Sequence, residues 1–93
     1  MDLVLPVKRK WFEQIKSGQK GCEYRICSPY WQRRLVGKRF DRVIITLGYP
    51  KKSDTSRRLV FPWSGCDITQ IIHQEFDYTP TAVFAIPLIK EVP

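Results

Sequence analysis

Gly18-Gln19-Lys20-Gly21-Cys22-Glu23-Tyr24-Arg25 is where a helix has to stop and a strand has to begin. Gly18 suits the left-handed residue that ends a helix. Gly21 opens an extended segment, Cys22 to Cys27, in which Cys22, Tyr24 and Ile26 alternate with Glu23, Arg25 and Cys27. The alternation assigns Tyr24 and Ile26 to a core-facing side. Glu23 and Arg25, whose side chains start ~7 Å apart on the opposite face, then need solvent or a polar cleft. Lys20 stands in the glycine-flanked turn just ahead of them.

Upstream, Leu3 to Val7 reads as a short first strand. Lys8 to Ser17 reads as a helix, with Trp11, Phe12 and Ile15 on one face. Downstream, Ser28-Pro29 is a helix start, serine capping and proline at the first helical position. Tyr30, Trp31 and Leu35 can pack inward from that helix while Gln32, Arg33 and Arg34 face out. Arg42 to Leu47 (R-V-I-I-T-L) is β-branched and apolar, the clearest strand in the chain. Gly48 to Ser56 is a polar loop, and Arg57 to Trp63 another strand, with Pro62 at its end or on an edge. Asp67 to Phe76 fits a helical stripe through Ile68, Ile71, Ile72 and Phe76, and its β-branched content fits a bent strand equally. Ala82 to Ile89 is a final strand. Short strands with two short helices near the start predict a single α+β domain over residues 1–93. Its expected form is a small mixed β-barrel, since closure removes sheet edges from a domain with a small core.

The chain is 43% hydrophobic and 13% aromatic, enough for one core and too rich for a disordered segment. No apolar run approaches the ~20 residues of a membrane span. The first residues have no basic segment ahead of a long apolar one, so no signal peptide is read. Cys22, Cys27 and Cys66 form neither a disulfide framework nor a zinc pattern. Reduced thiols in a cytoplasmic protein are expected, with no metal and no cofactor.

Net charge is +7 and unevenly placed: residues 1–60 hold fifteen Lys/Arg against five acids, residues 61–93 one lysine against four acids. One basic face, attracting polyanions by counterion release, follows from that asymmetry. Arg25 offers a planar fork suited to a phosphate or base edge. Lys20 can pair with phosphate or, if desolvated, act as base or nucleophile. Glu23 can pair with either cation or accept from a base amino group. A structural salt bridge at a strand start uses the same three residues. Lys51-Lys52 and Arg57-Arg58 flank a loop that reads as a mobile basic arm or an ordinary solvated hairpin. Arg33, Arg34, Lys38 and Arg39 extend a basic track. Tyr49 is the best stacking platform, with Tyr30 and Trp31 as further ones. Trp11 and Trp63 are read as packing residues. His73 is the single histidine, so a pair of imidazoles is impossible and a satisfied histidine at a strand end is expected.

With those residues in place, G-x-K-x-x-E-x-R behind the helix Trp11 to Ser17 resembles the ASCH domain, a branch of the PUA-like superfamily. The resemblance covers nearly the whole chain. It takes in Val43-Ile44-Ile45, Gly48-Tyr49-Pro50, Arg57-Arg58-Leu59-Val60-Phe61-Pro62-Trp63 and the closing strand Val83-Phe84-Ala85-Ile86. It implies a small β-barrel with helices at the rim, a cleft beside the motif, and RNA binding or processing. It also favours a strand for Asp67 to His73. Some members hydrolyse RNA. Another branch removes acyl groups from modified cytidine, using the motif lysine, a threonine three residues on and a later glutamate. Here Lys20 matches, Glu23 replaces the threonine, and Glu75 is the one later glutamate before the last strand. Three readings follow. The first is an RNA-binding module with Lys20, Arg25, Arg33, Arg34, Tyr49, Lys51, Lys52, Arg57 and Arg58 on RNA. The second is a metal-independent ribonuclease, a hydrolase with Lys20, Glu23 and Arg25 catalytic. The third, disfavoured by the missing hydroxyl, is an amidohydrolase of acylated cytidine.

Overall fold

The computed structural model describes residues 1–89. Its strands are β1 (Leu3–Val7), β2 (Cys22–Ile26), β3 (Arg42–Leu47), β4 (Arg58–Pro62), β5 (Asp67–Ile71) and β6 (Thr81–Pro87). The helices are α1 (Arg9–Ser17) and α2 (Pro29–Leu35), and single 3-10 turns follow at Thr55–Arg57 and Gln74–Phe76.

The strands form two three-stranded sheets, ordered β1-β3-β4 and β2-β6-β5. β1 and β3 are parallel, Leu3 opposite Val43 through Val7 opposite Leu47; β3–β4, β2–β6 and β5–β6 are antiparallel. One core lies between the sheets. Leu3, Leu5, Val43, Ile45 and Phe61 enter it from the first, and Phe84 and Ile86 from the second. Phe12 and Ile15 of α1 and Leu35 of α2 complete it.

The helices form for the reasons their sequence suggests. Gly18 closes α1 at φ 85°, and its N–H donates to the Ile15 carbonyl. Pro29 stands at the first position of α2, and the Ser28 hydroxyl accepts from the Trp31 N–H at 3.3 Å.

The α+β expectation holds in this coarser form, and the closed barrel does not appear. Among the described residues no ladder joins the two sheets, so β1, β4, β2 and β5 remain edges. β4 ends on Pro62, which has no N–H to donate, and the chain turns through Gly65 at φ 85° before β5 begins. The ambiguous segment divides: Asp67–Ile71 is a strand paired along β6, and Gln74–Phe76 is a single 3-10 turn. Pairing with β6 satisfies the backbone groups on one side of β5, and its side chains are mostly exposed.

A second correction concerns β2. Tyr24 and Ile26 are 39% and 44% exposed, whereas Glu23 is 6% exposed. The strand has the expected alternation and the opposite facing. Glu23 and Arg25 turn inward because they neutralise each other, and the pairing offsets the cost of removing each from water.

Candidate nucleic-acid interface

Arg25 bridges the two sheets. Its Nη2 donates to the Pro6 carbonyl of β1 at 2.9 Å and to Glu23 Oε2 of its own strand at 3.0 Å. Lys20 completes a triad, its Nζ 3.7 Å from Glu23 Oε1. The side chains of Lys20, Glu23 and Arg25 are 14%, 8% and 21% exposed. Lys20 is set there by the end of α1, where its N–H donates to the Gln14 carbonyl at 3.1 Å. Arg25 Nε is buried without an acceptor among the described residues, an unmet donor of a kind that costs ~1–3 kcal/mol. Arg58 Nε, at the start of β4 and outside the cleft, is the other such donor among the described residues.

Aromatic rings surround the charges. Lys20 Nζ lies 4.5 Å from the Tyr24 ring centre and 5.4 Å from that of Trp11. Arg25 lies 5.1 Å from the Trp31 ring centre. Contacts of this kind fix a cation's position and contribute ~0.5–2 kcal/mol each. The triad opens into a cleft of about 1010 Å³ between β1, the end of α1, β2 and the segment after β5. Besides the triad, Pro6, Val7, Lys8, Trp11, Tyr24, Ile72, His73, Glu75 and Phe76 line it.

Trp11, read from the sequence as packing, and His73, read as a satisfied histidine or a lone general base, both line the cleft. Trp11 does pack against the core, as read, but its ring also meets Lys20 and lies 5.8 Å from His73, edge to face. His73 is at a strand end as expected, and its Nδ1 accepts from the Glu75 N–H at 3.1 Å. That bond leaves Nε2 to carry the proton of the neutral ring. Only a helix docking on the tail of β5 brings these residues to Lys20, and no local pattern reports such a contact.

The other residues read as RNA-binding lie outside the cleft lining. Arg34 stacks on Trp31 and Tyr30, at 5.4 and 5.8 Å, and donates from Nη1 to the Tyr30 hydroxyl at 3.1 Å. Arg33 is exposed on α2. Tyr49 is 92% exposed, and Lys51 and Lys52 are exposed beside it. Arg57 is paired with Asp54 at 3.3 Å. Arg58 is turned to its own loop, donating to the Pro50 and Lys51 carbonyls at 3.2 and 3.3 Å. Of the two readings of this loop, a mobile arm or an ordinary hairpin, these internal bonds fit the hairpin.

Cys22, Cys27 and Cys66 are free thiols. Burial pushes the Cys66 thiol up from its ordinary value, with Asp67 and Cys27 adding to the effect. Among the described residues, no cluster of three His, Cys, Asp or Glu could hold a metal ion. No described helix is long and apolar enough to cross a membrane.

No family model, no curated protein and no solved structure matches this chain.

Proposed function

We propose that the protein is a cytoplasmic RNA-binding domain that takes an unpaired nucleotide into the Lys20–Glu23–Arg25 cleft. One observation carries the reading: three ionised groups, largely withdrawn from water, share the wall of an aromatic-lined cleft. A hydrophobic ligand would leave that triad unanswered. A nucleotide offers it donors and acceptors on the base edge, an anion for the cations and a π face for the rings. Lys20 pairs with phosphate in this reading. Glu23 accepts from a base amino group or holds the two cations together, and Arg25 presents the rest of its fork. The excess of basic residues over 1–60 adds attraction to the backbone. In this reading the two sheets are halves of a PUA-like barrel of the ASCH type, with the cleft at the β1–β2 seam.

A second reading, cleavage of single-stranded RNA without metal, draws on His73 and Glu75 lining the same cleft as Lys20. The Glu75 carboxylate could take the ribose 2′-hydroxyl proton while Lys20 stabilises the developing charge, His73 Nε2–H serving as a donor to the ligand. Deacylation of a modified cytidine would have the lysine and a glutamate but no hydroxyl at position 23.

Incubating the protein with labelled single-stranded RNA, duplex RNA and single-stranded DNA, with and without chelator, separates the readings. A mobility shift with single-stranded RNA, weakened by Lys20→Ala and by rising salt, is the expected result. Cleavage that survives chelator and vanishes in Lys20→Ala establishes the ribonuclease instead. Wild-type and Lys20→Ala proteins that both ignore RNA would end both readings.

A further inference from the structure

Parallel pairing brings the ends of β1 and β3 to the same side of the molecule. β1 ends at Val7 and β3 at Leu47, opposite each other in register. The next residue, Gly48, donates its N–H to the Val7 carbonyl at 3.1 Å. Val7 and Lys8 line the cleft. The loop that leaves β3 thus starts at the cleft rim, although none of its residues lines the cleft.

The loop is pre-shaped by its own bonds. Gly48 adopts φ 62°, and its carbonyl accepts from the buried Thr46 hydroxyl at 2.7 Å. Arg58 staples the Pro50 and Lys51 carbonyls from beneath. Asp54 accepts from the Ser56 hydroxyl at 2.6 Å and from its N–H at 3.1 Å. These bonds occupy Asp54, Arg57 and Arg58. Tyr49, Lys51 and Lys52 are left projecting, and the loop's one acid is already paired with Arg57 at 3.3 Å. A tyrosine 92% exposed gains almost nothing from the fold, yet its backbone is held by the Gly48 and Arg58 bonds on either side. Ring and ammonium groups on a rigid support are what a single strand meets on proteins that bind it: a stacking face and point charges for the backbone.

We infer that the 48–57 loop is a preformed second contact for single-stranded RNA. Tyr49 stacks on an unpaired base, and Lys51 and Lys52 hold phosphates of nucleotides flanking the one in the cleft. The inference rests on the reading of the cleft as a nucleotide site, and it narrows the ligand from a free nucleotide to an oligonucleotide. Lys51 lies three residues past Gly48, within ~11 Å of the rim along the chain. Lys8, exposed and in the cleft lining, follows Val7, whose carbonyl holds the start of the loop. A duplex offers Tyr49 no free base face.

The test compares a labelled single-stranded oligoribonucleotide with competing nucleoside monophosphates. The proteins are wild type, Lys20→Ala, and a triple variant with Tyr49→Ala, Lys51→Ala and Lys52→Ala. All three loop side chains are exposed, so the triple variant should melt with the wild type. It should bind the oligonucleotide roughly five- to 150-fold more weakly, the range for losing one stacked base. Its log K against log salt should be shallower by about 1.4 from two lost phosphate contacts. Monophosphate binding should be unchanged, and Lys20→Ala should lose both ligands. A triple variant that holds the oligonucleotide like wild type overturns the loop inference and leaves the cleft reading standing. A Lys20→Ala protein that binds both ligands normally ends the cleft reading, and with it the inference. A wild type that binds the oligonucleotide no more tightly than the monophosphates also refutes the inference.

Discussion

Substituting Glu23 by glutamine keeps the volume of the side chain and removes the one anion between two cations. At an effective dielectric of about 20, the Lys20 contact at 3.7 Å is worth ~4.5 kcal/mol and the Arg25 contact at 3.0 Å ~5.5 kcal/mol. That gross attraction of ~10 kcal/mol is opposed by the withdrawal of three ions from water, several kcal/mol each. The intact triad is therefore close to neutral for stability. Its disruption is not, because Lys20 and Arg25 stay where they are and lose their counter-charge. Glutamine still accepts one hydrogen bond from Arg25, which places the expected loss at the lower end of the ~3–5 kcal/mol seen when one partner of a buried pair is removed. For a domain of this size, 3 kcal/mol lowers the melting temperature by roughly 12–24 °C. Calorimetry of wild type and Glu23→Gln in dilute buffer measures it. The variant should regain part of the loss on adding inorganic phosphate, which the uncompensated pair of cations at the cleft wall can bind, while the wild type gains less. A variant that melts within 2 °C of wild type and ignores phosphate would refute the claim that Glu23 holds two desolvated cations together.

Asp2 is held below its ordinary value of 3.8 chiefly by the hydrogen bonds from Arg42. A depressed acid adds stability that is complete above its unfolded value and fades as pH falls through its folded one. Asp2→Asn should therefore melt below wild type at pH 6 and converge with it under acid, and parallel melting curves down to pH 2 would contradict this. Gly18→Ala should cost ~1–2 kcal/mol. An added Cβ there meets nothing within 4 Å, so the cost is the φ of 85° alone. Urea titration with an unchanged slope is the check, and no loss would remove the left-handed cap from the account.

Much of the fold was legible because short-range chemistry decides it. Leu3–Val7 and Arg42–Leu47 begin and end where their apolar, β-branched residues do. Ser28-Pro29 and Gly18 mark helix ends as sequence signals of that kind do. The facing of β2 was not legible. Alternation shows that Glu23 and Arg25 share a side; it does not show that they cancel each other well enough to turn inward. Barrel closure was hidden for a different reason. Alternation within β1 and β2 does not show whether the two strands pair; they share no ladder, and the Arg25 side chain reaches across to the Pro6 carbonyl. His73 was hidden by distance: more than sixty residues of sequence separate it from Trp11, whose ring it meets.

The order of strands has a bearing on biosynthesis. β2 carries Glu23 and Arg25, and its ladder partner is β6, the last strand described. A chain emerging from the ribosome can bring β1, β3 and β4 together while β2 still lacks its neighbour. Pairings so remote in sequence form late. The nascent chain must therefore carry an unpaired β2 until some sixty further residues have been made, and no ligand can be gripped before β6 has emerged.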